Sequence, residues 1–316
     1  MKALLFLLAM LFAAAPALAD CQRGDLASHL CDRTGDLVAD PPTNARQHID
    51  PRILIFAYTP VEDPATYGQV WAGFIDHLSR ETGRSVRFFP VQSNAAQLEA
   101  MRAGRLHIAG FNTGSTPLAV NCAGFVPFAM MAAADDSYGY QMEIITRPDS
   151  GIETLADLRG RSLAFTSPTS NSGYKAPLAL LQQEAGLREQ DVRAAFSGKH
   201  DNSVLGVVNR DYDAAAIANS VMQRMFARGV IRPEQIRTIY RSDTFPTTAY
   251  GVAHNLAPEL AEKIRAAFFS FPWEGSALAE EFRQSGESQF VPITYLEHWQ
   301  VIRDIDAATG VSYQCR

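Results

Sequence analysis

Thr166-Ser167-Pro168-Thr169-Ser170-Asn171-Ser172-Gly173-Tyr174 follows a strand-like run, Ser162-Leu163-Ala164-Phe165, and leads into a helical one, Lys175 to Gly186. The turn between them is built mostly of hydroxyl and amide side chains. The first backbone N–H groups of a helix have no partner within it, and the aligned peptide dipoles put partial positive charge there. A Ser/Thr/Asn turn at such a point is a neutral, donor-rich cradle for an anion. The same residue types also make an ordinary N-cap, so the reading rests on what surrounds the turn.

Upstream, strands and helices alternate. Ile53 to Tyr58 is an apolar strand. Tyr67 to Gly83 follows as an amphipathic helix, with Val70, Phe74, Ile75 and Leu78 at helical spacing and Gly83 as its C-cap. Val86 to Val91 reads as a second strand, Asn94 to Gly104 as a helix and Leu106 to Phe111 as a third strand. This rhythm predicts right-handed crossovers and a mainly parallel sheet, with ligands beyond the carboxyl ends of the strands. Tyr140 to Thr146 then opens a second series, which runs through the Ser/Thr turn and a helix-then-strand pair ending at Ala214 to Ile217. Ala249 to Ala253 returns as a strand, and Pro258 to Phe271 as a helix. The expected organisation is a first lobe at 51–138 and 249–316, interrupted by a second at 139–248. The two long strands near Met142 and Val252 are the expected hinge pair. A domain inserted by two crossings leaves a cleft, a favoured ligand site.

The N-terminus reads as a secretory signal over 1–19: Lys2, an apolar run from Ala3 to Ala15, and the small-x-small pattern Ala17-Leu18-Ala19. Asp20 before Cys21 argues against a lipidated cysteine. Residues 20–50 are polar and weakly periodic, and read as an irregular arm. The formal net charge of −6 argues against a nucleic-acid partner, which needs a basic face. A bound anion would therefore be held by local dipoles and hydrogen bonds, not by bulk charge. Four cysteines allow three pairings, and an exported chain forms disulfides by default. The expected pairs are Cys21–Cys31 and Cys122–Cys315; the alternative leaves Cys122 a free thiol. No Cys/His cluster suggests a metal, and no cofactor is implied.

Phe165 through Tyr174, then Phe196-Ser197-Gly198-Lys199-His200, then Tyr212-Asp213-Ala214-Ala215-Ala216 resemble the phosphonate-binding periplasmic proteins of ABC importers. Met101 to Ala109 and Thr154 to Gly160 fit the same family. The resemblance runs from about Arg52 to the C-terminus. It implies an α/β type II periplasmic binding fold, two lobes closing on a solute like a hinge. It also implies a site. Ser170, Asn171, Ser172 and the N–H groups around Gly173 would hold the oxyanion with His200, while Phe111, Asn112 and Thr113 face them from the first lobe. Where family members that bind aminoalkyl phosphonates use first-lobe tyrosines, this chain has Asn94 and Phe111. Where they place carboxylates for the ligand ammonium, it has Ser220 and Thr248. A buried ammonium without a carboxylate is heavily penalised, so a ligand without a cation is expected.

Other residues carry weaker signals. His200 taken alone reads equally as a structural histidine, and His107 and His254 as packing or surface residues. Tyr58 and Glu62 close the first strand as second-tier contacts. Phe125, Phe128, Met130 and Met131 read as core. Ser172, His200 and Asp201 could be imagined as a hydrolytic set, but no nucleophile-elbow motif is present, so the chain is not expected to be an enzyme. The function expected is the monomeric periplasmic solute-binding component of an ABC importer. It would bind a small phosphorus oxyanion of the phosphonate or phosphite class and partner the importer's membrane permease subunits. The alternative is an oxyanion sensor partnering a sensor kinase, for example one of arsenite, with a free Cys122 thiolate as the arsenic ligand.

Overall fold

Runs at Ile53–Tyr58 (β1), Ser85–Phe88 (β2), Ile108–Phe111 (β3), Phe125–Ala132 (β4), Tyr140–Thr146 (β5), Ser162–Phe165 (β6), Arg193–Phe196 (β7), Ala214–Ala218 (β8), Arg237–Phe245 (β9), Ala249–Ala253 (β10) and Gln289–Pro292 (β11) build two separate sheets. The structure is a computed structural model that describes residues 21–313 and 315. The leader read at 1–19 lies outside the described residues. The first sheet has the order β11-β4-β10-β3-β1-β2 and the second β7-β6-β8-β5-β9. Helices flank both, giving the two α/β lobes of the type II periplasmic binding fold.

Every residue of β3 and β8 is buried, the pattern of strands covered on both faces. β8 is nearly all alanine, a residue with little strand preference, so burial between layers decides its conformation. The sheets are less parallel than the sequence rhythm suggests. β1 runs parallel to β2 and β3, and β6 to β7 and β8. β10, β4 and β11 pair antiparallel in the first sheet, as do β8, β5 and β9 in the second. The reason is the double crossing: a strand that returns from the other lobe enters its sheet from the opposite end.

The helix expected over Tyr67–Gly83 is two helices, Pro64–Val70 and Ala72–Thr82. The chain turns at Trp71, whose buried ring packs against Phe56, Tyr58 and Phe74. Gly83 closes the second helix at φ 66°, as its position predicts. Ser93 caps the helix Asn94–Arg102, its hydroxyl accepting from Ala96 N–H at 3.1 Å. Phe125 to Met131, expected as core, is core in the form of a strand.

The chain passes between the sheets over residues 133–139 and 246–248. The crossings lie side by side because Tyr140 pairs with Phe245. Gly139 is required there: its φ is +122°, and a Cβ would fall 2.1 Å from Thr244 Cγ2. Apolar packing also continues across the junction, joining Phe111, Phe125 and Trp299 to Met142, Ile144 and Phe165. Trp299 precedes the last helix, Gln300–Ala308, and donates to Thr113 O at 2.9 Å. The disulfides are Cys21–Cys31 and Cys122–Cys315, the second tying the C-terminal residues to the helix Thr116–Ala123.

Candidate functional site

The Ser/Thr turn sits at the carboxyl end of β6, folded back on it by Thr166 N–H donating to Gly173 O at 3.0 Å. A Cβ at Gly173 would lie 1.9 Å from Thr166 Oγ1, so only glycine fits. Ser170 Oγ accepts from Gly173 N–H at 3.0 Å, which caps the helix. The first turn, Asn171–Lys175, is a wide π turn that runs into the regular helix Ala176–Ala185. Such turns recur at functional sites. One leading N–H of the turn, that of Gly173, is thus satisfied by Ser170 Oγ, and Ser170, Asn171 and Ser172 border the gap between lobes.

That gap is closed around a cavity of about 50 Å³. About 10–15 Å³ by this measure seats one water, so the space suits a few waters or one small ion. Ser170, Asn171, Ser172 and His200 line it from the second lobe, and Asn112, Thr113 and Thr248 from the first lobe and its crossing. Two expected residues do not line it. Phe111 is fully buried in the core against Phe125, because alternate residues of a strand point to opposite faces. Asn94 stands beside the cavity and bridges the lobes, donating to Ser167 Oγ at 3.2 Å and Thr169 Oγ1 at 3.0 Å and accepting from Asn112 Nδ2 at 2.9 Å.

The lining groups differ in what they can offer a guest. The Ser172 side chain makes no hydrogen bond among the described residues, although the residue is 2 % exposed. His200 Nδ1 accepts from Ala218 N–H at 3.1 Å, which fixes the tautomer with hydrogen on Nε2. Burial pushes the His200 pKa down to about 4; Arg224 lowers it further and Glu62 opposes this. The ring is thus a neutral donor at physiological pH. Asn171 Oδ1 and Thr247 Oγ1 are buried without partners at the cavity wall. A guest that supplies their partners removes that penalty. On the first-lobe side the donors are engaged. Asn112 Nδ2 binds Thr59 Oγ1 and Asn94 Oδ1, and Thr113 Oγ1 donates to Pro246 O at 2.8 Å.

Residues the sequence reading missed complete the wall: Tyr140, Arg224, Tyr250, Phe282 and Glu287. Tyr140 and Tyr250 adjoin the two crossings, a position that could have signalled them. Arg224 and Glu287 carry no local signal, since distant segments bring them in. Arg224 Nε and Nη2 donate to Glu62 Oε1 at 3.0 and 2.7 Å, and Arg228 also pairs with Glu62. Burial alone would raise Glu62, but the two guanidiniums outweigh it and hold its carboxyl below the usual range. Glu62, read as a second-tier contact, therefore joins the lobes instead of meeting the guest. Ser220 and Thr248 line the cavity without a carboxylate, as expected, yet Glu287 supplies one from beyond both positions.

Further contacts hold the lobes together. His200 N–H donates to Val61 O at 3.1 Å. Lys175 Nζ reaches Gly114 O at 2.9 Å and Asp306 at 2.8 Å, a pair 3 % and 1 % exposed. Gly114 is pressed so close that a Cβ would fall 2.3 Å from Thr169 O. No group of metal-ligating side chains occurs among the described residues, and no described helix is long and apolar enough to cross a membrane.

Comparison with known proteins points to the same fold. The family model described as "ABC transporter, phosphonate, periplasmic substrate-binding protein" matches residues 56–299. The chain is 29% identical to the phosphate-import protein PhnD of Mycolicibacterium smegmatis, over 88% of this chain and 89% of that one. Among solved structures it is similar to a binding protein component of an ABC phosphonate transporter from Pseudomonas aeruginosa (TM-score 0.74, 22% identity, 84% of this chain and 90% of that one). It is similar in fold to PhnD1 from Prochlorococcus marinus in complex with methylphosphonate (TM-score 0.74, 15% identity, 83% of this chain and 100% of that one).

Proposed function

The chain belongs to the periplasmic substrate-binding proteins of phosphonate ABC transporters, and from that premise we propose that its interlobe cavity captures one small phosphorus oxyanion of the phosphonate, phosphite or phosphate type for import. The observation that carries the reading is convergence. Ser170, Asn171, Ser172 and a His200 with its hydrogen on Nε2, all donor-bearing, line one cavity of about 50 Å³ where a helix begins. Donors to an oxyanion are roughly twice as strong as neutral pairs, and they need no net positive protein. The relative from M. smegmatis, named for phosphate import, and the methylphosphonate complex support the same ligand class.

The protein binds and does not turn over its guest. With hydrogen on Nε2, His200 cannot take a proton from Ser172. Asp201 accepts from Asp63 and Asn202 N–H groups, not from the imidazole. The protein acts as a monomer in the periplasm after cleavage of the leader at 1–19, without a cofactor, and delivers its guest to the importer's membrane permease subunits. The arsenite–thiolate alternative loses its ligand, since Cys122 is bonded to Cys315 and no described cysteine is free.

The test is a thermal-shift and calorimetric panel of methylphosphonate, phosphite, phosphate, sulfate and arsenite. A ligand at about 100 times its Kd adds about 2.7 kcal/mol of stability. Stabilisation by at least one phosphorus oxyanion is expected. No response to any of them would refute the reading.

A further inference from the structure

Glu287 follows Gly286 just before β11 and lines the cavity with Tyr58, Tyr250 and Phe282, on the first-lobe side. Its Oε2 accepts from Ser285 Oγ at 2.6 Å, and no hydrogen bond to Oε1 is found among the described residues. The groups facing it from neighbouring elements are Arg224 of the helix Asn219–Ala227, Tyr58 of β1 and Tyr250 of β10. A carboxylate in the wall of an anion site is at first sight a mistake, because two negative groups repel at contact distance. The cavity is too small for a guest to keep away from it.

The contradiction disappears if one proton lies between them. Resting on the phosphorus-oxyanion reading above, we propose that Glu287 and the bound oxyanion share a single proton, so that the site selects guests able to carry P–OH. In the bound state the P–O–H···O–C contact replaces a repulsion with a charge-assisted hydrogen bond. A dianion entering from solution in which both partners are ionised takes up one H⁺ from the buffer. No bond to phosphorus forms or breaks. Burial already favours a proton on this carboxyl, raising its pKa against the opposing effects of Ser285 and Arg224. Sulfate and alkylsulfonates hold no proton at neutral pH and cannot take one up readily. To hold them, Glu287 itself must take up the proton from the buffer, a cost that a guest arriving with P–OH does not bear.

The probes are methylphosphonate, phosphate, sulfate, methanesulfonate and aminomethylphosphonate, measured by calorimetry. Wild-type protein is expected to lose methylphosphonate affinity by about tenfold per unit between pH 8 and 9, and to bind methylphosphonate at least 100-fold more tightly than sulfate or methanesulfonate at pH 7. In Glu287→Gln the amide donates a hydrogen bond without a shared proton. The pH slope should flatten, and the sulfur-to-phosphorus ratio should narrow by tenfold or more. Lys175, whose pKa burial pulls down, is common to both proteins and cancels in the comparison. Calorimetry of wild type at pH 9 in two buffers of different ionisation heat reads the proton directly, without any variant. Uptake near one per ligand is expected. A flat wild-type affinity, no proton uptake, or an unchanged ratio in Glu287→Gln overturns the proposal while leaving the oxyanion reading intact. So does tighter binding of aminomethylphosphonate that disappears in Glu287→Gln, which would make Glu287 an ammonium partner. Failure to bind any phosphorus oxyanion overturns both.

Discussion

On the second-lobe side of the cavity the Ser172 side chain and the Nε2–H of His200 have no partner among the described residues; on the first-lobe side Asn112 and Thr113 have committed their donors to Thr59, Asn94 and Pro246. The two walls use similar residue types for different ends. On the reading proposed above, one recognises the guest, and the other braces the closed shape around it. Charge follows the same division: Glu62 and Glu281 of the first-lobe side pair with Arg224 and Arg228 of the second, joining the lobes across the gap. A residue's chemistry therefore does not say whether it contacts the guest. Its existing partners do.

The largest effect should come from the brace. Glu62→Ala leaves Arg224 without its main partner, and breaking a buried pair from one side costs about 3–5 kcal/mol. The ligand-free protein should melt at a clearly lower temperature, read by calorimetric unfolding. A melting point equal to wild type would show that the pair does not brace the lobes. The recognising wall makes a prediction in pH. His200 is neutral when folded, with a pKa pressed to about 4, and takes a proton near 6.5 when unfolded. The unfolded state then binds more protons between these values, so stability falls as pH drops from about 6.5 to 4. The full effect approaches about 3 kcal/mol at about 1.4 kcal/mol per unit. His200→Gln should flatten that part of the stability–pH curve in urea melts, and an unaltered slope would assign it elsewhere.

Ser172→Ala removes one charge-assisted bond, about 1.5–3 kcal/mol or ten- to a hundredfold in Kd. The ligand-free melting point should not move, because that hydroxyl makes no bond among the described residues. Thr113→Val should do the reverse. It strips Pro246 O of its donor, costs about 1 kcal/mol of stability and changes affinity only a few-fold. If calorimetry finds the larger affinity loss in Thr113→Val, the division between walls is wrong.

Much of this was legible in the sequence, for a local reason. β1, β5, β8 and β10 announce themselves as apolar runs, and the Ser/Thr turn lies in one stretch whose helix N-terminus is fixed by its own residues. What escaped was decided at long range. β4 passed as an apolar run because strand and core look alike without a partner. β9 is mostly polar, and only its pairing with β5 makes it a strand. Phe111 missed the cavity because its place in the pleat turned it inward. Arg224 and Glu287 reach the site from segments whose sequence neighbours say nothing about a ligand.

Gly114 brings the two halves of the protein into backbone contact beside the guest, with no room for even one methyl group. That absence of a side chain works as a gauge. An alanine there would act as a doorstop, leaving the molecule able to touch its cargo but not to shut on it. Such a protein would separate the moment of capture from the moment of hand-over, and would reveal which of the two the transporter waits for.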